Sequence, residues 1–154
     1  MSLDIPVFDL KSLKSQFYYF LLAIALIIIS SVLVVGFFGL EKLSHLSGLK
    51  MGWPVVISIF AVNFFWNKMR KKELRSIAGE TDVELKFARY IQYNRKMMIW
   101  NAASVLLTCL FWIISLKDLW IYLLGFQVLF SFLLFPNKTR ITRELELPEI
   151  EFIG

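Results

Sequence analysis

Hydrophobic residues along this chain fall into four long blocks separated by shorter polar segments. A helix needs about 20 apolar residues to cross a hydrocarbon core of about 30 Å, and each block approaches or exceeds that length. The pattern predicts an all-α, polytopic membrane protein with four transmembrane helices. The predicted spans cover residues 17–40, 52–67, 97–116 and 119–136.

Composition argues against the main alternative, a soluble helical bundle with buried helices. The chain is 58% hydrophobic, whereas soluble domains are usually about 45–50% apolar. The stretch from Tyr18 to Leu40 carries no charge and only two serines. A helix on the core of a soluble protein normally keeps a polar face. We therefore expect these blocks to face lipid.

The distribution of positive charge predicts the orientation in the membrane. Fourteen of the 17 lysines and arginines lie in the N-terminal arm, the central loop 68–96 and the C-terminal tail. Cytoplasmic segments close to membrane spans are enriched in these residues. Both termini and the central loop are therefore predicted to be cytoplasmic, in a multi-pass protein of the cell (inner) membrane.

The central loop 68–96 is predicted to form a cytoplasmic helical hairpin that continues the second and third spans. It contains no helix breaker before Gly79, a residue type that suits a helix end. Thr81 and Glu84 then match a capping box, in which the threonine side chain accepts from the Glu84 amide. The alternative is a disordered basic loop.

Two terminal segments flank the predicted transmembrane domain 17–137. Residues 1–16 mix apolar and charged side chains, and we expect an arm lying along the membrane interface. The tail 138–154 is amphipathic and then acidic, and Pro148 should stop a short helix. A docking role and exposure to solvent both remain open for this tail.

The basic residues nearest the spans are predicted to contact anionic lipid headgroups. Because this charge borders membrane spans, the net charge of +5 indicates a lipid surface and not a nucleic acid. The predicted contacts are Lys68, Arg70, Lys71, Lys72, Arg95 and Lys96.

Uncharged polar residues within the spans form a second candidate set. Such side chains join helices through hydrogen bonds worth about 0.6–2 kcal/mol each. They could also line a polar path across the membrane, and both interpretations stay open. The candidates are Asn101, Ser104, Thr108, Gln127 and Asn63.

No sequence pattern indicates a catalytic, cofactor-binding or metal-binding site. No Asp, Glu, Lys, Arg or His lies deep in a predicted span, whereas proton-coupled transporters and pumps depend on such groups. Cys109 and His45 are the only residues of their types, so a cysteine-based metal site is not expected. We predict no catalytic, cofactor-binding or metal-binding residues and no enzymatic activity.

These observations favour a non-enzymatic membrane subunit or scaffold that binds a second copy or a membrane protein partner. The first alternative is an oligomeric channel or transporter for a neutral solute. A second is an insertase-like or lipid-handling protein, suggested only by two spans that flank a cytoplasmic hairpin. A membrane enzyme is a lesser alternative.

Overall fold

A computed structural model describes residues 7–38, 52–115, 118–147 and 151–153 of the chain. Helix dominates this part of the protein, in agreement with the predicted all-helical class. The elements in chain order are β1 (Val7–Asp9), α1 (Leu10–Phe38), α2 (Gly52–Ala78), α3 (Val83–Ser115), α4 (Asp118–Phe132), α5 (Lys138–Leu145) and β2 (Glu151–Ile153).

Two of the helices are long and apolar enough to cross a membrane. The qualifying segments are Leu10–Phe37, with 28 residues, and Val83–Ile114, with 32 residues. At 1.5 Å per residue each is more than 40 Å long, against a hydrocarbon core of about 30 Å. Only 17% and 28% of the residues in their most apolar stretches are buried. The core helix of a soluble domain would be mostly buried.

Helices α1 and α3 lie side by side and run in the same direction. Near their beginnings, the rings of Phe8 and Phe87 meet edge to face with centroids 4.7 Å apart. Along both helices in the same order, Gln16 and Ala23 of α1 lie beside Arg95 and Ala102 of α3. One face of α1, with residues spaced three and four apart, packs against α3. It comprises Leu10, Leu13, Phe17, Phe20 and Ile24.

Helix α2 runs antiparallel to α3 and forms the predicted hairpin with it. The indole rings of Trp66 and Trp100 stack with centroids 4.7 Å apart. Closer to the hairpin turn, Lys96 Nζ lies 2.9 Å from Glu73 Oε1. Both helices continue without a break past the predicted membrane boundary.

Helix α4 is also antiparallel to α3. Gln127 of α4 hydrogen-bonds Ser104 of α3, and Trp120 stacks on Phe111 further from the hairpin turn. The beginning of α1, the hairpin turn and the end of α4 therefore gather at one end of the bundle, which we call the hairpin end. The predicted cytoplasmic segments thus meet at one place.

The hairpin turn follows the predicted position with a different cap. Helix α2 ends at Ala78, and the Gly79 amide donates to the Arg75 carbonyl. Asp82, and not Thr81, caps α3: its Oδ1 accepts from the amides of Glu84 at 3.0 Å and Leu85 at 3.2 Å. Asp82 immediately precedes the first helical residue, where a carboxylate reaches the second and third free amides.

Of the N-terminal segment 1–16, residues 1–6 lie outside the described part and residues 7–16 lead directly into α1. Its placement along a membrane interface stays a prediction. Asp9 Oδ1 accepts from the amides of Lys11 and Ser12, so α1 begins at Leu10 and not near residue 17. Phe8 and Leu13 are buried in the core. The apolar residues of this segment continue the buried face of α1, and packing against α3 removes them from water.

The C-terminal tail docks onto the hairpin end. Helix α5 packs on α2 and buries Ile141 and Leu145. Strand β2 then pairs in parallel with β1, with Phe152 opposite Phe8. Within the described residues 138–147 and 151–153, the tail is therefore packed against the rest of the chain and is not a fully solvated end.

Candidate functional site

A buried polar cluster joins α5 to α3 at the hairpin end. We call it the tail clamp, and it consists of Tyr90 and Asn94 of α3 with Arg140 and Glu144 of α5. The Tyr90 hydroxyl donates to Glu144 Oε2 at 2.6 Å. Arg140 Nε donates to Glu144 Oε1 at 3.1 Å, and Arg140 Nη2 donates to Asn94 Oδ1 at 3.2 Å.

Local helix geometry sets each half of the clamp. Tyr90 and Asn94 are one turn apart on α3, as are Arg140 and Glu144 on α5, so each pair shares a face. The Asn137 side chain caps α5 by accepting from the Arg140 amide at 2.7 Å. The cap fixes the first turn of α5, which orients its Arg140 side chain toward α3.

The clamp also provides a hydrogen-bond donor for a carbonyl group at the C-terminal end of α4. Arg140 Nη1 donates to the Leu133 carbonyl at 3.3 Å, just beyond the last residue of that helix. The last carbonyls of a helix lack intrahelical partners, and a guanidinium is a favourable donor for them. Arg140 therefore ties three helices together.

Burial changes the protonation behaviour of the tyrosines here. Burial, and secondarily the Glu144 carboxylate, raises the pKa of Tyr90 well above its ordinary value. Burial raises the pKa of Tyr93 to about 12. Both phenols therefore stay neutral at physiological pH, which lets Tyr90 donate to Glu144. The Tyr93 hydroxyl is buried with no hydrogen-bond partner among the described residues.

The arrangement of the clamp suits a structural role. Glu144 accepts from two donors through separate oxygens, and the side chains of Arg140 and Glu144 are only 11% and 12% exposed. An ion pair in such surroundings is held by geometry and hydrogen bonds more than by charge alone. These groups are engaged with one another, so the clamp fixes α5 in place.

A second polar network, the amide ladder, lies between α3 and α4 and consists of Asn101, Ser104, Gln127 and Ser131. Asn101 Nδ2 donates to Ser131 Oγ at 3.0 Å. Gln127 Nε2 donates to Ser104 Oγ at 3.0 Å. The Ser131 hydroxyl donates back to the Gln127 carbonyl. The ladder is free of formal charge.

The structure brings together three of the five polar residues predicted within the spans. Asn101, Ser104 and Gln127 meet in the amide ladder, while Thr108 is buried and donates to the Ser104 carbonyl within α3. Asn63 belongs to α2, and its side chain lies outside the described part of the protein. These contacts are those expected of helix packing, and Gln127 Oε1 is left buried without a partner in the described residues.

The six predicted headgroup contacts do not form one patch. Lys68, Lys71 and Lys72 are exposed on α2, and Arg70 is half-buried near Tyr93. The two cations of α3 face different neighbours. Lys96 pairs with Glu73 of α2, whereas Arg95 lies on a groove between α1 and α3.

This α1–α3 groove has a volume of about 400 Å³ and opens to the surroundings. On each helix the lining residues are spaced three or four apart, so they lie on one face of that helix. The lining residues are Gln16, Tyr19, Phe20 and Ala23 of α1 with Arg95, Met98, Ile99 and Ala102 of α3.

The sequence alone does not reveal the tail clamp or the α1–α3 groove. The only local signal for the clamp is the i, i+4 spacing of Arg140 and Glu144, which commonly reflects a surface pair. Their partners lie 46 and 54 residues away, and no short pattern specifies that distance. Within the described residues, no group of three His, Cys, Asp or Glu side chains could hold a metal ion.

No protein-family model matches the chain, and no curated protein or solved structure is significantly similar to it. The tail clamp, the amide ladder and the α1–α3 groove are therefore the observations on which a function must rest.

Proposed function

We propose that this protein crosses the cell (inner) membrane four times, with both termini and the hairpin end in the cytoplasm. The lengths of α1 and α3 support two of the crossings. The antiparallel courses of α2 and α4 along α3 support the other two. The hairpin end also gathers the segments that carry most of the positive charge, as cytoplasmic segments do.

Helix α4 is the shortest of the four proposed crossings. Its 15 residues span about 22 Å, less than the hydrocarbon core. Hydrogen bonds from the Leu133, Leu134 and Phe135 amides to carbonyls three residues earlier continue the helix as a tighter turn. At 2.0 Å per residue these residues add roughly 6 Å. The extended element then nearly matches the core thickness.

The topology can be tested by cysteine labelling in intact cells. The background is Cys109→Ala, which removes the only cysteine of the chain. Into it, Thr81→Cys places a thiol at the exposed hairpin turn, and Ser47→Cys places one between the first two spans. A membrane-impermeant maleimide should label position 47 in intact cells and position 81 only after permeabilisation. Labelling of position 81 in intact cells would contradict the proposal.

In this orientation, we propose that the protein is a non-enzymatic subunit or scaffold that binds a membrane protein partner or a second copy. The observation that carries this proposal is the tail clamp. Through Arg140 and Glu144 it holds a short helix against the hairpin, and such a short helix would be unstable alone. The hairpin, α5 and the β1–β2 pair therefore form one preorganised surface, the hairpin platform.

Preorganisation matters because binding costs less when the bound conformation already exists. The exposed lysines of α2 and the acidic residues near the tail give the hairpin platform charges of both signs. The part of α1 farthest from the hairpin end, residues 22–38, offers a second surface for lipid or for a partner helix. Its exposed apolar residues include Leu22, Leu26, Ile29, Leu33 and Phe37.

A matched pair of arginine variants tests this role. Arg140→Ala breaks the tail clamp, whereas Arg143→Ala removes an exposed charge from the same helix. The protein would be purified in mild detergent, with its size measured by light scattering and co-purifying proteins identified by mass spectrometry. We expect wild-type protein and Arg143→Ala to carry the same partner or form the same oligomer. Arg140→Ala should lose it at least tenfold while still entering the membrane.

Two outcomes would count against the scaffold. The first is a wild-type protein that is monomeric and free of partners under mild conditions. The second is an Arg140→Ala variant that retains the full complex although hydrogen exchange shows a released tail. The second outcome would place the binding surface elsewhere, on the spans themselves.

The channel alternative is favoured by one observation: Gln127 Oε1 is buried and has no hydrogen-bond partner among the residues that the structure describes. A buried acceptor without a donor is costly, and a polar solute that passes along the amide ladder could satisfy it. Flux of small neutral solutes into proteoliposomes tests this alternative with Asn101→Leu, which removes one amide of the ladder. Equal flux through the wild type and the variant would exclude a path at this position.

A further inference from the structure

The α1–α3 groove combines a polar mouth with an apolar interior. Gln16 and Arg95 line it nearest the hairpin end, and Ala23 and Ala102 line it two turns further along. Because α1 and α3 run parallel, these polar and apolar ends coincide on both helices. The small alanine side chains create the space, since larger residues at those positions would bring side chains into the groove.

The mouth of the groove presents a positive charge, Arg95, that no described residue pairs with. Arg95 is exposed and makes no ion pair with any described residue, unlike its neighbour Lys96. No acidic residue is among those that line the groove. A guanidinium in such a position is suited to a phosphate, which it can bind through two parallel hydrogen bonds.

The opposite wall of the mouth carries an unused polar group. The Oε1 atom of Gln16 is buried and has no hydrogen-bond partner in the described part of the chain. An unsatisfied buried acceptor is unfavourable. Rotation of this amide toward the groove would let its oxygen accept a hydrogen bond from a headgroup hydroxyl held there. Tyr19, one turn along α1, is exposed and also lines the groove.

We propose that the α1–α3 groove binds one anionic phospholipid, with its phosphate on Arg95 and an acyl chain along the apolar interior. The chain would lie over Phe20, Ala23 and Ile99 toward Ala102. The volume of about 400 Å³ falls in the range of ligand-binding clefts. It accommodates the headgroup and the first part of one chain, and the remainder continues into the bilayer.

The position of the groove favours a lipid over a free phosphate. In the proposed topology, Arg95 lies next to the first residues of the third span, at the level of the headgroups. The apolar end then points into the hydrocarbon region, where a soluble anion gains nothing. The site differs from general attraction to the membrane surface because it selects one lipid by charge and shape together. This lipid site requires that the protein lies in the membrane, but it does not require that the protein is a scaffold.

Native mass spectrometry of the full-length protein, released from detergent with defined lipids, tests the site. The probes are phosphatidylglycerol, phosphatidylcholine and inorganic phosphate. For wild-type protein we expect one phosphatidylglycerol bound at least tenfold more tightly than phosphatidylcholine. Inorganic phosphate should not displace it. Arg95→Gln should weaken phosphatidylglycerol binding about tenfold, which corresponds to about 1.4 kcal/mol.

Two further variants make the test specific. Arg75→Gln removes the same charge from an exposed position on α2, outside the groove, and should leave binding unchanged. Ala23→Leu fills the apolar end without a change of charge and should weaken both lipids. Circular dichroism and the elution volume in detergent establish that each variant is folded. A variant that fails this control is replaced by Ile99→Trp, which obstructs the groove from the other helix.

The proposal is overturned if Arg95→Gln binds phosphatidylglycerol as tightly as wild type, or if Arg75→Gln weakens it equally. Equal binding of phosphatidylcholine would remove the requirement for an anionic lipid. Displacement by inorganic phosphate would identify a soluble anion site instead. None of these results bears on the co-purification test of the scaffold, so the two proposals can fail separately. Failure of the labelling test of topology would remove the membrane location on which this site depends.

Discussion

The tail clamp and the amide ladder are both networks of side-chain hydrogen bonds between helices, but they are built from different kinds of side chain. Each joins α3 to a later helix through hydrogen bonds between side chains. The clamp uses an arginine, a carboxylate and a phenol, whereas the ladder uses only amides and hydroxyls. The clamp lies at the hairpin end and the ladder lies within the predicted spans.

This difference follows from the cost of placing charge away from water. At the membrane surface, a charged pair keeps some contact with solvent, and its strong hydrogen bonds offset the remaining desolvation. In the hydrocarbon region, a charged group is more costly, and neutral polar groups already bind helices together. In the proposed topology the tail clamp lies at the membrane surface and the amide ladder in the hydrocarbon region. The surroundings of α3 would then select the type of side chain that holds each end.

The largest expected effect comes from removing one member of the charged network. Glu144→Ala leaves Arg140 and Tyr90 without their shared acceptor. We expect the free energy of unfolding to fall by roughly 3 kcal/mol, because a partly buried charge loses its partner. Chemical unfolding in mild detergent, followed by circular dichroism, measures this change.

Two controls accompany this variant. Glu151→Ala removes an exposed carboxylate and should change the free energy of unfolding by no more than about 0.5 kcal/mol. The double variant Arg140→Met/Glu144→Leu should recover most of the loss, since no charge is left unpaired. A loss below about 1 kcal/mol for Glu144→Ala would show that the clamp contributes little.

The next effect tests whether the ladder tolerates charge. Gln127→Glu keeps the shape of the side chain but introduces an ionisable group between α3 and α4. We expect a loss of roughly 2 kcal/mol of unfolding free energy at neutral pH, because charge inside a membrane is disfavoured.

The reciprocal exchange supplies the control for that test. Glu144→Gln removes a charge from the clamp and should cost less than Glu144→Ala, since the amide oxygen still accepts from Tyr90. If Gln127→Glu is as stable as the wild type, the ladder lies in contact with water, and the contrast between the two networks disappears.

A smaller effect is expected when the ladder loses one hydrogen bond. Asn101→Leu removes the donor to Ser131 and should lower the free energy of unfolding by about 1 kcal/mol. A double-mutant cycle with Ser131→Ala isolates the pair, and we expect a coupling energy of about 0.6 kcal/mol or more. Additive losses would mean that the two side chains do not interact in the membrane.

The last expected effect appears only at alkaline pH and concerns the tyrosines of the hairpin end. Their raised pKa values mean that the folded state holds the phenolic protons more tightly than the unfolded state, whose tyrosines ionise near pH 10. The resulting stability is fully present below pH 10 and is lost as the pH rises toward about 12, the pKa of Tyr93.

Unfolding measured from pH 7 to pH 12, with tyrosinate absorbance as the probe, tests this expectation. Tyr90→Phe/Tyr93→Phe should flatten the decline above pH 10, and Tyr122→Phe, which is exposed, should not. Ionisation of every tyrosine near pH 10 in the folded protein would contradict the burial argument.

The features predicted correctly depend on residues close together in the chain. The run of good helix formers between Asn67 and Gly79 predicted that α2 continues beyond its apolar part, and the helix does extend to Ala78. Gly79 marked the hairpin turn because it suits the end of a helix. The sequence favours Thr81 as the cap of α3, one residue before the observed Asp82, because threonine and aspartate are both good capping residues.

The features that were missed depend on residues far apart. Nothing near Phe8 indicates that Val7–Asp9 pairs with Glu151–Ile153 at the other end of the chain. Arg95 and Lys96 are adjacent and looked alike, but a helix turns by 100° per residue, so they face different neighbours. Only the packing of α1 and α2 around α3 decided which of them would be paired.

The sequence by itself determined the helical class, the presence of the long apolar helices and the hairpin between α2 and α3. These follow from apolar run length, helix propensity and turn residues, which act over a few residues. The tertiary structure alone decided the tail clamp, the partners within the amide ladder and the α1–α3 groove. Each requires side chains from separate helices, and their meeting depends on how whole helix faces pack.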